Sequence, residues 1–84
     1  MDWELYAWLK RGSRRKEVLR LLLNSQSPLT TNEIKLKLKV AISQASFTVK
    51  ELNDKRLIEC LNPKDNIGRL YHATKKGREI LNEV

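Results

Sequence analysis

Apolar positions recur at helical spacing along most of this chain and switch to strand spacing near its end. Between residues 14 and 24, Val18, Leu19, Leu22 and Leu23 fall on one broad stripe with Arg14, Arg15, Lys16 and Arg20 largely off it. That pattern predicts an amphipathic helix, which Ser13 is placed to cap. Upstream, Trp3, Tyr6 and Trp8 lie among helix-compatible neighbours and Gly12 closes the segment, so a short N-terminal helix is expected over 1–10. After Ser27-Pro28, Thr30 and Glu33 have the spacing of a capping box. Taken alone, the following Ile34-Lys35-Leu36-Lys37-Leu38-Lys39-Val40 alternates like a half-buried strand. The cap, the helix propensity of Lys and Leu, and the i, i+4 pair Ile34 and Leu38 favour a helix that leaves Leu36 partly exposed.

From 43 to about 55, Ala45, Val49 and Leu52 repeat at helical spacing and Ile42 joins them, while Ser43, Gln44, Ser46, Phe47 and Lys50 point elsewhere. Residues 58–61 and 69–73 then read as two strands around Asn62-Pro63-Lys64-Asp65-Asn66-Ile67-Gly68, a long hairpin loop by length and turn chemistry. Thr74 can cap a last helix burying Ile80 and Leu81, whose first turn Gly77 weakens. The order is four helices, a hairpin and a helix, which makes the fold mainly α with a small β-hairpin (α+β). It is a winged helix-turn-helix, with a three-helix core, a two-stranded wing and an extra N-terminal helix. With 84 residues and no linker or repeat, 1–84 forms a single domain.

Composition adds charge to this shape. Seventeen Lys and Arg against ten Asp and Glu give a formal net charge of +7, which draws polyanions before any specific contact forms. A well-solvated, soluble surface is the plainer reading of the same charge. Cys60 and His72 are the sole residues of their types, which excludes an internal disulfide and a Cys/His zinc site within one chain. Neither a membrane-length apolar run nor a secretory leader is evident, so a cytoplasmic protein is expected. No nucleophile with its base, carboxylate pair or cofactor motif points to catalysis, and no small-molecule pocket is evident; the expectation is a binding protein without cofactor.

The residues themselves resemble small archaeal winged-helix regulators related to the MarR-like and ArsR-like groups. The resemblance runs from about Trp8 to Leu81. It rests on Arg14-Arg15-Lys16-Glu17-Val18-Leu19, Leu29-Thr30-Thr31-Asn32-Glu33-Ile34, Val49-Lys50-Glu51-Leu52, Leu57-Ile58-Glu59-Cys60-Leu61-Asn62-Pro63 and Gly68-Arg69-Leu70-Tyr71, then Ala73-Thr74-Lys75-Lys76-Gly77. It implies sequence-specific duplex DNA binding, usually as a homodimer, with the fourth helix in the major groove and the hairpin tip beside the minor groove. Two departures stand out. Such regulators often have Gly or Asn in the turn where this chain has Lys39-Val40-Ala41, and Gly where it has Arg56.

Candidate contacts follow from side-chain chemistry. Gln44 can pair with adenine through two hydrogen bonds, and Ser43, Ser46 and Thr48 can serve bases or phosphates. Phe47 is offered either to a thymine methyl or to the wing or a neighbouring subunit. Lys50 suits phosphate, and the helix start at Thr31 supplies amides and a hydroxyl. In the wing, Lys64 suits phosphate, and Arg69 can clamp phosphate or enter the minor groove. Arg14 and Arg15, in the densest basic run, either extend the footprint along the backbone or form a solvated helix start. Trp3, Tyr6, Trp8 and Leu9 are candidates for a dimer contact, or for a helix folded back on its own domain. A twofold dimer would set two reading helices roughly 34 Å apart and imply a palindromic site. The rival reading is a winged-helix docking module for another protein, anchored by Phe47 and the Trp-rich helix.

Overall fold

The computed structural model describes residues 2–83; Met1 and Val84, the ends of the expected domain, lie outside the described residues. Helix α1 (Trp3–Arg11) begins at Asp2, whose carboxylate accepts the Leu5 amide proton. Gly12 separates it from α2 (Ser13–Asn24) and is itself the N-cap, so Ser13 is the first helical residue and not the cap expected of it. A two-residue strand β1 (Leu29–Thr30) leads into α3 (Thr31–Leu38), a short turn and α4 (Ile42–Asp54). Strands β2 (Ile58–Cys60) and β3 (Leu70–Ala73) follow, then α5 (Lys75–Glu83). This is a winged helix with an additional N-terminal helix.

The capping box at α3 is complete. Thr30 Oγ accepts the Glu33 amide at 3.1 Å and Glu33 Oε1 accepts the Thr30 amide at 2.9 Å. The Thr30 amide, then its hydroxyl, and the nearby Lys37 charge hold the Glu33 carboxyl below its ordinary range. This local stereochemistry explains why an alternating apolar pattern folds as helix: Ile34 is buried and Leu36 faces solvent.

Both helices of the α3–α4 unit end on left-handed residues. Lys39 (φ 57°) closes α3, with the Val40 amide returning to the Lys35 carbonyl; Arg56 (φ 62°) follows α4, with the Leu57 amide returning to the Leu52 carbonyl. These are glycine-type exits built from lysine and arginine, at the two departures noted above.

The sheet has three antiparallel strands in the order β1-β3-β2, one more than the hairpin expected. Leu29 pairs with Tyr71, and Ile58, Glu59 and Cys60 pair with Ala73, His72 and Tyr71. The alternation turns Ile58 and Tyr71 to the core and leaves Glu59 and His72 outside, where they meet at 2.6 Å. The core gathers Leu5 and Leu9 from α1, Val18, Leu19 and Leu22 from α2, Ile34, the inner face of α4, Leu57, Ile58 and Ile80. Each fully buried Leu or Ile there contributes about 2 kcal/mol.

Thr74 caps α5 by accepting the Gly77 amide, while its hydroxyl donates to the Arg56 carbonyl at 2.8 Å. Gly77 is buried, and a Cβ there would sit 2.3 Å from the Leu57 carbonyl oxygen. Its place in a helix answers to close packing on the β2 approach. Leu81, expected in the core beside Ile80, packs at the edge and stays half-buried.

Candidate nucleic-acid interface

Helix α4 lies across α2 and α3 and buries Ala45, Thr48, Val49 and Leu52. These positions are spaced 3, 1 and 3 apart, which defines one helical stripe. The opposite side presents Ser43, Gln44, Ser46, Phe47 and Lys50, all exposed. Thr48 was expected to reach bases or phosphates, but at 5% exposure it faces inward and the structure removes it from the outer face. Ile42 was expected on the apolar stripe and is instead 47% exposed, because it occupies the first turn and points toward the wing.

Phe47 is 64% exposed in the middle of the outer face. Gln44 sits one turn earlier, its Oε1 3.4 Å from the Ala41 amide, a long contact that leaves the carboxamide free to turn outward. Ala41 offers no side-chain cap, so the first amides of α4 are open to an external acceptor. Gln44 and Phe47 form one wall of a groove of about 610 Å³ whose other wall is the α1–α2 elbow with Arg11 and Arg14. Arg14 is half-buried, Arg11 is exposed, and neither forms an ion pair among the described residues.

Arg15 behaves differently from its neighbour. Its guanidinium donates to the Trp8 carbonyl at 2.6 Å and to Glu51 Oε2 at 3.0 Å, and lies 4.1 Å from the Trp8 ring centroid. A side chain expected to extend the phosphate footprint is instead engaged within the domain.

The wing is ordered by one asparagine. Asn62 Oδ1 accepts the Leu70 amide at 2.7 Å, and its Nδ2 donates to Asp65 Oδ2 and to the Gly68 carbonyl. Gly68, at φ +72°, makes the turn back. Arg69 Nε donates to the Asp65 carbonyl at 2.6 Å, which orients its guanidinium along the loop, and Lys64 is exposed beside it. Ile67 stands at the apex, 90% exposed. With Ile42, Arg69 and the α3 start at Thr31 and Asn32, it borders a second groove of about 460 Å³ between wing and helices. Of these, Ile67 is not among the residues expected at the interface, and Ile42 is expected on the buried stripe instead. An isoleucine beside a Gly-containing turn was the available signal for the first, while the spacing that joins Ile42 to Ala45 and Val49 pointed the second inward.

The four residues offered as a dimer contact separate. Leu9 is fully buried in the domain's own core, together with Leu5, which had not been singled out. Trp8 lies half-buried between Arg15 and Lys55, whose Nζ is 5.4 Å from the ring centroid. Trp3 is 70% exposed and meets Tyr6 edge-on at 5.8 Å. Cys60 and His72 belong to the strand pair. Among the described residues, no group of three or more His, Cys, Asp or Glu could hold a metal ion, and no helix is long and apolar enough to cross a membrane.

No protein-family model matches the chain and no curated protein sequence matches it. Solved structures do. Wild-type MarR of E. coli in its apo form superposes with a TM-score of 0.75 at 26% identity, over 98% of this chain and 63% of that one. Wild-type ZitR of Lactococcus lactis in complex with DNA gives 0.71 at 25% identity, over 84% of this chain and 48% of that one. FabT of Streptococcus pneumoniae in complex with DNA gives 0.72 at 20% identity, over 86% and 50%, a likeness of fold alone. The structural neighbours are therefore MarR-family winged-helix transcription regulators, and this chain spans between about half and just under two thirds of their length.

Proposed function

We propose that this chain binds double-stranded DNA sequence-specifically as a transcription regulator. In this reading α4 enters the major groove and the wing over 62–69 rests on the backbone or minor groove. The observation that carries it is the outer face of α4: a row of hydroxyls, a carboxamide, an aromatic and a lysine, flanked by Arg11 and Arg14 of the α1–α2 elbow, on a chain of net charge +7. A groove roughly 12 Å wide admits one helix, and these side chains match its donor, acceptor and methyl pattern. Gln44 reads a base, Phe47 meets a thymine methyl, Ser43 and Ser46 serve bases or phosphates, and Thr31, Lys50, Lys64, Arg69 and Arg14 take phosphates. ZitR and FabT, two of the structural neighbours, were solved in complex with DNA.

The same reading takes the protein to act as a homodimer in the cytoplasm, with exposed Trp3 and half-buried Tyr6 at the contact, and so to prefer palindromic sites. Phe47 and Trp3, both largely exposed, are also what a protein-docking module would use. Selection of bound duplexes from a random pool at moderate salt separates the two. A regulator enriches a defined motif with two symmetric half-sites, whereas a docking module enriches none.

A further inference from the structure

Arg15 bridges three helices. It rises from the first turn of α2, stacks on Trp8 of α1 at 4.1 Å, donates to the Trp8 carbonyl at 2.6 Å, and pairs with Glu51 of α4 at 3.0 Å. Room for it depends on Gly12, since a Cβ there would lie 2.4 Å from Arg15 Cδ. The Trp8 ring also has Lys55, the residue that ends α4, within 5.4 Å of its centroid. The side chains of Arg15 and Glu51 are only 23% and 22% exposed, so the pair is partly shielded from solvent. Glu51 lies one helical turn beyond Phe47 and two beyond Gln44, so a tether at Glu51 limits rotation of α4 about its axis.

We propose that Arg15 is a positioning residue that sets the rotation of α4 through Glu51, with Trp8 as its shelf, and makes α1 part of the DNA-reading unit. This rests on the duplex-binding reading above. The planar guanidinium is what allows one side chain to stack, donate to a carbonyl and pair with a carboxylate together; a lysine ammonium cannot hold all three.

A phosphate-contacting Arg15 and a positioning Arg15 predict opposite signs for one substitution. Glu51→Gln removes a negative charge beside the reading face and frees Arg15. If Arg15 touched phosphate, binding to every duplex would tighten. As a positioning residue it predicts the reverse on the selected duplex, a loss of about tenfold, comparable to one charge-assisted hydrogen bond, with little change on a scrambled duplex of equal length. Arg15→Lys keeps the charge and is expected to show the same loss, while the salt dependence of scrambled-duplex binding stays that of the wild type.

The experiment measures both duplexes by fluorescence anisotropy for wild type, Glu51→Gln and Arg15→Lys, with thermal melts to confirm folding. A parallel set in a Trp3→Phe background leaves Trp8 as the one indole, and its emission is expected to shift when the guanidinium leaves the ring. Tighter binding of both duplexes by Glu51→Gln, or full retention of selectivity by Arg15→Lys, overturns the proposal. A wild-type protein that selects no duplex at all overturns the parent reading instead, and this one falls with it. A shift in Trp8 emission with selectivity unchanged also overturns it, because the bridge would then be packing without a role in recognition.

Discussion

Salt is the most direct perturbation of the proposed interface, because each phosphate neutralised by a protein cation releases counterions and steepens the dependence of affinity on ionic strength. The structure limits which cations count. Arg15 is engaged with Glu51 and Trp8, and Arg20 lies on α2 in a groove with Arg78 and Leu81 of α5, apart from the α4 groove. The cations assigned to phosphate in the proposed reading are Lys50 on α4, Lys64 and Arg69 on the wing and Arg14 at the elbow. At about −0.9 per contact, these give a log-log slope of about −3.6 per chain, or about −7 for two chains on a palindrome. From 50 to 200 mM salt, affinity is then expected to fall about 150-fold per chain and by roughly the square of that for a pair. Anisotropy titrations of a labelled duplex across KCl concentration measure the slope, and Lys50→Gln should reduce it by about 0.9 for each chain bound. A slope shallower than about −1 per chain, or one indifferent to both Lys50→Gln and Lys64→Gln, would refute the assignment of this face to a duplex.

Other consequences can be checked separately. Gln44→Ala should cost about 1–3 kcal/mol on the selected duplex and much less on a scrambled one; equal losses in the same titration would remove Gln44 from base reading. Gly77→Ala gains about 1 kcal/mol of helix propensity but forces a Cβ to within 2.3 Å of the Leu57 oxygen. Set against that gain, a crowding cost of about 1–3 kcal/mol leaves a net loss of up to about 2 kcal/mol, so the melting temperature should fall, and a rise would show that α5 slides freely on β2. Lys39→Gly and Arg56→Gly relieve left-handed backbone at exposed positions and should each stabilise by about 0.5–1 kcal/mol, seen as a higher denaturant midpoint. Glu33 titrates below its ordinary range because the folded chain hydrogen-bonds its charged form. Its contribution is thus complete above the ordinary carboxylate pKa and lost as pH falls through the lowered one. An NMR titration should find that Thr30→Ala moves the Glu33 pKa up, and an unmoved pKa would show the box to be open in solution.

The parts of this molecule that could be read from residue order are those governed by local stereochemistry. The Thr30–Glu33 box outweighed the strand-like alternation of Ile34 to Val40, because two reciprocal hydrogen bonds start a helix whatever the side chains beyond them suggest. Broad stripes such as Val18, Leu19 and Leu22 carried α2 in the same way. Strand β1 was not legible, since two residues have no period and their pairing to Leu70 and Tyr71 is set by a strand some forty positions away.

Thr48 is the more instructive miss. Its position in the series Ala45, Thr48, Val49 and Leu52 already placed it on the inner face. It was assigned outward by the chemistry of its hydroxyl when spacing argued otherwise. Arg15 fails for the opposite reason: it lies in a basic run that looks uniform, and what distinguishes it from Arg14 is the arrival of Trp8 and Glu51 from two other helices. For Leu9, offered either to a dimer contact or to a helix folded back on its own domain, the second holds. The domain resolves this by taking in Leu5 and Leu9, shelving Trp8 under a guanidinium and leaving Trp3 to solvent. Spacing along one helix thus predicts which side faces in, while the duties of charged and aromatic side chains at a junction depend on which helices meet there. In this chain that junction joins the N-terminal helix to the helix proposed to read DNA.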